Sequence, residues 1–150
     1  MQSGQLCNRK PITVRRTDEL IRAAQLMREK HIGYLVVVEP EDGHHSVRPV
    51  GVITDRDIAV RAVAAGMGPE TPIRDVMSAE VKYCFADDEI DEVAHNMADI
   101  KVRRLPVLNS QKRLVGIISL ADIARSQSGD RTAASLHGIS RPGGQHTQGR

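Results

Sequence analysis

The sequence predicts a mixed α/β fold (α/β or α+β class) made of two copies of a β-α-β-β-α repeat. A shift of 70 residues aligns residues 17–20 with residues 87–90. Beyond residue 38 the shift falls to 65, so Gly51 aligns with Gly116 and the first copy carries five extra residues in a polar turn. At 150 residues, the chain is long enough to bury a core.

The first copy contains every element of the repeat in order. An extended piece at residues 12–14 precedes an amphipathic helix at residues 18–30, whose apolar side chains recur at helical spacing. An apolar strand at residues 35–38, a polar turn and a second strand at residues 50–53 follow. A helix over residues 55–65 ends the copy.

The second copy repeats this order. Its elements are an extended piece, a helix, two strands and a final helix, at residues 82–85, 88–100, 105–108, 114–118 and 120–126. Two strands joined by a short turn make an antiparallel hairpin, while a strand-helix-strand step makes a parallel crossover. One copy is too small to cover both faces of its sheet, so the two copies are expected to pack as a pseudo-twofold pair.

The boundaries of the repeats follow from composition. Residues 1–66 form the first repeat, and residues 67–126 contain a linker rich in Gly and Pro followed by the second repeat. Residues 127–150 hold little that could form a core and are predicted to be a disordered tail. Thr17 and Asp87 stand directly before the first helix of each repeat and are predicted to be its N-caps.

Composition and charge exclude several classes of function. The net charge is +2, from 21 basic and 19 acidic side chains, and this balance predicts neither a nucleic-acid nor a membrane partner. Aromatic residues make up only 2%, too few for base-stacking platforms. The two cysteines, Cys7 and Cys84, lack the spacing of a metal or redox pair. With no apolar run long enough for a signal peptide or a membrane span, a cytoplasmic location is predicted.

One motif occurs in both repeats and organises the rest of the chain. A glycine and a short apolar strand lead to a hydroxyl residue, and an aspartate follows three residues later: Thr54 with Asp57, and Ser119 with Asp122. A capping box at a helix start explains this spacing. An aspartate beside a strand end can also hold the two hydroxyls of a ribose, and both interpretations stay open.

The tandem motif resembles a known family. Residues 50–59 and 115–124, the helices ending near Met27 and Met97, and the run at residues 103–107 resemble a pair of cystathionine-beta-synthase (CBS) domains, known as a Bateman module. The resemblance covers residues from about 4 to 126 and is to the free-standing bacterial type. It implies a cleft between the repeats that holds an adenine nucleotide.

The resemblance implies roles for particular residues. Contacts to ribose and phosphate fall on the hydroxyl and acid pairs: Thr54, Asp57, Ser119 and Asp122. The main chain of the extended piece that opens each repeat would read the adenine edge, at positions that include Ile12, Val14, Lys82 and Cys84.

Further candidates differ between the repeats. Arg103 and Arg104 are either solvated charges or phosphate ligands, and the first repeat has Gly33 and Tyr34 in their places. The cleft nearer the two arginines is therefore predicted to favour more phosphate. Arg56 is another phosphate candidate. Tyr34 either flanks a base or packs at a sheet edge.

These observations predict a regulatory module that is not an enzyme. It would sense an adenosine-containing metabolite such as AMP, ADP, ATP, NAD or S-adenosylmethionine, and would act on a protein target that the sequence does not name. The family resemblance also implies a homodimer. Only His31 and Cys84 are candidates for chemistry beside the cleft. No metal site is predicted, because His44 and His45 lack a third ligand at suitable spacing. The alternative is an interaction or scaffold protein that binds no ligand and acts through its dimer surface.

Overall fold

The protein divides into two compact units, each built around one repeat. The structure, a computed structural model, describes residues 1–41 and 47–127. The first-repeat unit comprises Ile12–Val81. The second-repeat unit comprises Met1–Pro11 together with the chain from Lys82 onward. The segment that precedes each repeat in sequence thus belongs to the unit of the other repeat.

A short helix, α1 (Ser3–Leu6), lies at the start of the chain and belongs to the second-repeat unit. The first-repeat unit then contains β1 (Thr13–Arg15), α2 (Leu20–Lys30), β2 (Tyr34–Pro40), β3 (Val47–Thr54) and α3 (Asp55–Asp57). Helix α3 continues as a π-helical stretch over Ile58–Val63, and a 3-10 turn follows at Ile73–Asp75. The helix predicted over residues 55–65 is therefore present, but more than half of it is wound as a π-helix.

The second-repeat unit contains the same elements in the same order. They are β4 (Cys84–Phe85), α4 (Ile90–Ile100), β5 (Arg104–Leu108), β6 (Leu114–Ser119) and α5 (Leu120–Ser126). The part of the chain from residue 128 on, predicted to be a disordered tail, lies outside the described residues. No helix among the described residues is long and apolar enough to cross a membrane.

Each unit has one three-stranded sheet, in the order β1-β2-β3 or β4-β5-β6. The first pair of strands in each sheet is parallel and the second is antiparallel, which confirms the predicted crossover and hairpin. Both hairpins shift register at the same place, between Val37 and Val38 in one and between Val107 and Leu108 in the other. The two copies therefore share the same shift in hairpin register.

The core of each unit is aliphatic and includes residues from the segment that precedes the other repeat in sequence. We call these two segments, residues 1–11 and residues 67–81, the exchanged segments. In the first-repeat unit the buried residues are Val14, Leu20, Ala23, Leu26, Met27, Leu35, Val37, Ile53, Ala62, Ile73 and Val76. In the second-repeat unit they are Cys7, Cys84, Ile90, Val93, Met97, Leu105, Val107, Ile118, Leu120 and Ile123. Ile73 and Val76 come from the segment that precedes the second repeat, and Cys7 comes from the segment that precedes the first.

The exchanged segments pair with the last strand of each sheet. Asn8 donates to and accepts from Ile117 on β6, with N···O distances of 2.8 and 3.0 Å. Ser78 makes the same pair of bonds with Val52 on β3, both at 2.9 Å. Because an open strand edge presents unpaired amides and carbonyls, each segment protects the edge of the sheet that it covers.

The predicted N-caps Thr17 and Asp87 are wrong. The helices begin two residues later, after Glu19 and Glu89, and neither of these side chains caps its helix. The acids at the preceding positions bond backwards instead: Asp18 Oδ2 accepts from the Arg15 amide at 2.8 Å, and Asp88 Oδ2 accepts from the Phe85 amide at 2.9 Å. These carboxylates close the turns that follow β1 and β4.

The exchanged segments satisfy the free amides at the helix starts. In α2, Leu20 donates to the Thr71 carbonyl at 2.8 Å and Ile21 donates to the Pro69 carbonyl at 3.0 Å. In α4, Ile90 donates to the Met1 carbonyl at 3.1 Å. Because the first amides of a helix have no partner within it, backbone carbonyls from distant segments replace the expected side-chain caps.

Candidate ligand-binding site

The strand register places the candidate residues at the same end of each sheet. Tyr34 lies directly opposite Thr54 across the β2–β3 ladder, and Arg104 lies opposite Ser119 across the β5–β6 ladder. Directly opposed residues in an antiparallel pair put their side chains on the same face, close enough to touch. Each hydroxyl residue therefore has a neighbour on the first strand of its hairpin, an aromatic ring in one unit and a guanidinium in the other.

The hydroxyl and acid pairs form the same reciprocal hydrogen bonds in both units. Thr54 Oγ1 accepts from the Asp57 amide at 3.1 Å, and Asp57 Oδ2 accepts from the Thr54 amide at 3.0 Å. Ser119 Oγ and Asp122 Oδ2 make the equivalent bonds at 3.0 and 3.1 Å. Both motifs are thus capping boxes, and the bonds fix the orientation of all four half-buried side chains.

The capping boxes leave one hydrogen-bond donor and one acceptor position available to a ligand. A hydroxyl that accepts a bond from an amide still has its own O–H to donate. Each carboxylate uses Oδ2 in the box, which leaves Oδ1 as a further acceptor position. The box therefore presents an O–H donor and a carboxylate oxygen at the end of each sheet, which is the combination that a phosphate and a ribose hydroxyl need.

The residue before each hairpin accepts a hydrogen bond from the first residue of the helix that follows the hairpin. The Asp55 amide donates to the Gly33 carbonyl and the Leu120 amide donates to the Arg103 carbonyl, both at 3.0 Å. Gly33 and Arg103 are therefore structurally equivalent, as the alignment of the repeats indicates. A Cβ at Gly33 would lie 2.6 Å from Asp55 Oδ2, so a larger residue there would require that carboxylate to move.

The extended pieces that open the repeats lie beside the same sheet ends. Val14 pairs with Val37 and its side chain is buried in the core, while Ile12 packs partly against that core. Cys84 pairs with Val107 and is buried, while Lys82 is exposed just before β4. Since β1 runs parallel to β2, its start lies at the end of the sheet where β3 finishes.

The candidate residues form two sets, one in each unit. The first-repeat unit brings together Ile12, Val14, Tyr34, Thr54, Arg56 and Asp57. The second-repeat unit brings together Lys82, Cys84, Arg103, Arg104, Ser119 and Asp122. Arg56 is exposed, whereas Arg103, Arg104 and Tyr34 are half-buried.

One charged residue that sequence reasoning missed lies at the second site. The guanidinium of Arg125, on α5, forms an ion pair with Asp122 Oδ1 through its Nη2. The signal in the sequence is a spacing of three residues, which places two side chains on the same face of a helix. Val60 stands at this position in the first repeat.

The formal charges differ between the two sites. In the second-repeat unit, Arg125 pairs with the carboxylate of Asp122, while Arg103 precedes β5 and Arg104 begins it, opposite Ser119. In the first-repeat unit, Arg56 lies between two acidic residues, Asp55 and Asp57. The positions of the three arginines of the second repeat are occupied there by Gly33, Tyr34 and Val60. The second site is therefore the more positive of the two.

The two residues singled out for chemistry belong to different units. His31 is exposed in the first-repeat unit, where it ends α2 with a left-handed backbone at φ 55°. Cys84 is buried in the second-repeat unit, and this burial raises its pKa to about 11. Burial also raises the pKa of Cys7, and both thiols are free. A protonated thiol is a poor nucleophile at neutral pH.

Within residues 1–41 and 47–127, no three His, Cys, Asp or Glu side chains come together as a group that could hold a metal ion. His44 and His45 lie outside these residues.

The family of the protein follows from its sequence. The CBS domain family matches the chain twice, over residues 4–63 and 73–129. The protein therefore belongs to the CBS domain family and carries the domain as a tandem pair, which confirms the resemblance seen in the sequence.

Its relatives are of several kinds. The uncharacterized protein MK0525 of Methanopyrus kandleri is 36% identical over 121 residues, which are 80% of this chain and 59% of that protein. This chain thus spans less than two thirds of that relative. Hypoxic response protein 1 of Mycobacterium tuberculosis is 40% identical over 109 residues, which are 72% of each chain.

Solved structures confirm the fold class. Hypoxic Response Protein I (HRPI) with two coordinated zinc ions has a TM-score of 0.72 and 35% identity, over 85% of this chain and 99% of that one. The CBS domain pair of protein MJ0100, in complex with 5'-methylthioadenosine and S-adenosyl-L-methionine, has a TM-score of 0.69 and 28% identity. That match covers 84% of this chain and 98% of the other.

Proposed function

We propose that the protein is a regulatory module that binds an adenosine-containing metabolite through its two CBS repeats. Binding changes the shape or the assembly of the protein, because the ligand has different affinities for two arrangements; equal affinities would shift nothing. The proposal contains no catalytic step. It places the protein in the cytoplasm, where its two free thiols stay reduced.

The observation that carries this proposal is the repeated pair of capping boxes. Both units hold a hydroxyl and an aspartate in the same geometry, at the same end of an equivalent sheet. In each box the hydroxyl donates to phosphate and the second carboxylate oxygen accepts from ribose. The MJ0100 pair, which is in complex with two adenosyl ligands, supports the same class of ligand here.

The unequal charges assign a preference to each site. Arg103 and Arg104 stand beside Ser119, so a nucleotide with phosphates favours the second-repeat unit. A guanidinium binds phosphate oxygens through two parallel hydrogen bonds, which a neutral side chain cannot do. In the first-repeat unit Tyr34 flanks the base, and Arg56, which lies within the box sequence, is the phosphate candidate. The main chain at Ile12, Val14, Lys82 and Cys84 reads the adenine.

Calorimetric titration tests the ligand class. Protein stripped of nucleotide is titrated with AMP, ATP, NAD and S-adenosylmethionine, and the titrations are repeated on Asp57→Ala and Asp122→Ala. We expect at least one compound to bind, and each substitution to weaken its own site by tenfold or more. A hydrogen bond to a charged group contributes about 1.5–3 kcal/mol, which corresponds to this loss.

Two further results decide between ligand binding and the scaffold alternative. Thr54→Ser keeps a hydroxyl in the box and serves as the matched control, with affinity expected to stay within about threefold. Flat traces for all four compounds would contradict ligand sensing. They would leave the capping boxes as structural features and favour an interaction protein that works without a ligand.

A homodimer is part of the proposal. Four large apolar side chains are exposed in the first-repeat unit: Ile21 at 42%, Val60 at 52%, Val63 at 67% and Met67 at 39%. Three of them stand on or just after the π-helical stretch, where a second copy would cover them. Sedimentation equilibrium at tens of micromolar should show a dimer that Val63→Asp dissociates. A monomer in the unmodified protein would contradict this expectation.

A further inference from the structure

The two carboxylates at the candidate sites differ in the state of their second oxygen. Asp122 uses Oδ2 in its capping box and Oδ1 in the ion pair with Arg125. Asp57 uses Oδ2 in its box, and within the described residues its Oδ1 has no ion-pair or hydrogen-bond partner. A ribose hydroxyl that approaches Asp122 therefore competes with a guanidinium, whereas one that approaches Asp57 does not.

One position accounts for this difference. Arg125 follows Asp122 by three residues on α5, and Val60 follows Asp57 by the same three residues. The rest of the two boxes is the same, with four equivalent hydrogen bonds between 3.0 and 3.1 Å. The contrast between arginine and valine at this position therefore decides whether the carboxylate oxygen outside the box is held in an ion pair.

The ion pair is easily exchanged. The Arg125 side chain is 72% exposed, and Asp122 is 24% exposed. Exposed pairs of this kind stabilise a protein only weakly, because water screens them and a long side chain loses freedom in them. A phosphate offers a guanidinium more charge than a carboxylate and accepts two parallel hydrogen bonds from it.

We infer that Arg125 determines the ligand specificity of the second-repeat site by exchanging Asp122 for a phosphate. A ligand with a phosphate draws the guanidinium away, and the freed Oδ1 of Asp122 then accepts a ribose hydroxyl. A ligand without phosphate must break the ion pair with no replacement for it. The inference rests on the proposed function and adds to it: phosphate and ribose recognition are coupled in the second site and independent in the first.

The coupling assigns a ligand class to each unit. The second-repeat unit takes adenosine compounds that carry phosphate and discriminates against those that do not. The first-repeat unit has valine at position 60 and an Asp57 whose Oδ1 has no partner among the residues that the structure describes, so it accepts adenosine compounds whether or not they carry phosphate.

The test compares AMP with adenosine on the second site alone. The full chain carries Asp57→Ala to silence the first site, and calorimetry measures both affinities with and without Arg125→Val, which installs the side chain of the other repeat. We expect Arg125→Val to weaken the binding of AMP by about tenfold and to strengthen the binding of adenosine severalfold. The ratio of the two affinities should therefore fall by more than tenfold. Circular dichroism verifies that each variant is folded.

Controls and contrary outcomes separate this inference from the proposed function. Arg22→Ala removes an exposed arginine from α2 and should leave the ratio unchanged. Equal weakening of AMP and adenosine by Arg125→Val, or no change in either, would overturn the exchange while ligand binding stands. Failure of both compounds to bind the protein before Arg125 is changed would overturn the inference together with ligand binding at this site.

Discussion

Removal of residues 1–11 is expected to unfold the second-repeat unit and to leave the first-repeat unit folded. These residues make five backbone hydrogen bonds to that unit, from or to Met1, Ser3, Gly4 and Asn8. They also place the buried side chain of Cys7 in its core. All of these partners lie in the second-repeat unit, so the damage should be confined to it.

The expected loss of stability follows from the contacts that the truncation removes. A backbone hydrogen bond contributes about 0.5–1.5 kcal/mol net, and five are lost. Burial of the small Cys7 side chain adds less than the roughly 1.5–3 kcal/mol of a large apolar side chain. The entropy of ordering the segment offsets part of this gain. Small domains are stable by only about 5–15 kcal/mol, so the truncated unit should lose most of its stability.

Hydrogen exchange resolves the two units within one sample. In the truncated protein, amides of β5 and β6 should exchange at least a hundredfold faster than in the full chain, while those of β2 and β3 keep their protection. A synthetic peptide of residues 1–11 should restore part of the protection in β6. Unchanged exchange in β5 and β6 would show that the segment does not support this unit.

Much of the fold could be predicted from local patterns. Apolar periodicity and the internal repeat gave the type and order of the main elements, and α5 begins and ends at the predicted residues. The hairpins and crossovers followed from the lengths of the connections. Patterns within one repeat are sufficient for these features, because each depends on residues close together in sequence.

The starts of α2 and α4 could not be predicted in the same way. Their first amides bond to Thr71 and Pro69 in one helix and to Met1 in the other, residues some fifty to ninety positions away. Local rules therefore pointed to the nearest capping residues, Thr17 and Asp87. The exchange of segments between repeats is a tertiary feature, and no spacing within either helix signals it.

Some features of the candidate site could likewise be predicted from local sequence, and others could not. The capping boxes are local, and their geometry follows from the spacing of Thr54 with Asp57 and of Ser119 with Asp122. The ion pair of Arg125 is also local, yet its importance appears only when its position is compared with Val60. The pairing of Arg104 with Ser119 depends on strand register, which the sequence alone fixes only within a residue or two.

Gly116→Ala is expected to destabilise the second-repeat unit by about 3 kcal/mol, at the upper end of the range for overpacking. A Cβ at Gly116 would collide with the Asn8 carbonyl oxygen and lie 2.8 Å from Cys7 Sγ and 3.0 Å from the Asn8 carbonyl carbon. The Asn8 backbone is held by two hydrogen bonds to Ile117, so it can yield only if the segment leaves β6. The substitution thus probes the same contact as truncation, with the segment still present.

Two matched substitutions rank the effect by what the new methyl group meets. Gly51→Ala places a Cβ 2.7 Å from the Ser78 carbonyl oxygen and 2.9 Å from Met77 Sδ. The thioether can move, but the Ser78 carbonyl is held by two hydrogen bonds to Val52, so the substitution should cost about 2 kcal/mol. This is less than for Gly116→Ala because the overlap with the backbone is smaller. Gly68→Ala meets only the carboxylate end of Glu70, which turns aside, and should change stability by less than about 0.5 kcal/mol. Chemical denaturation of the three variants should give this order. If Gly116→Ala were as mild as Gly68→Ala, the segment would have to yield on β6 at little cost, and the account of truncation would fail with it.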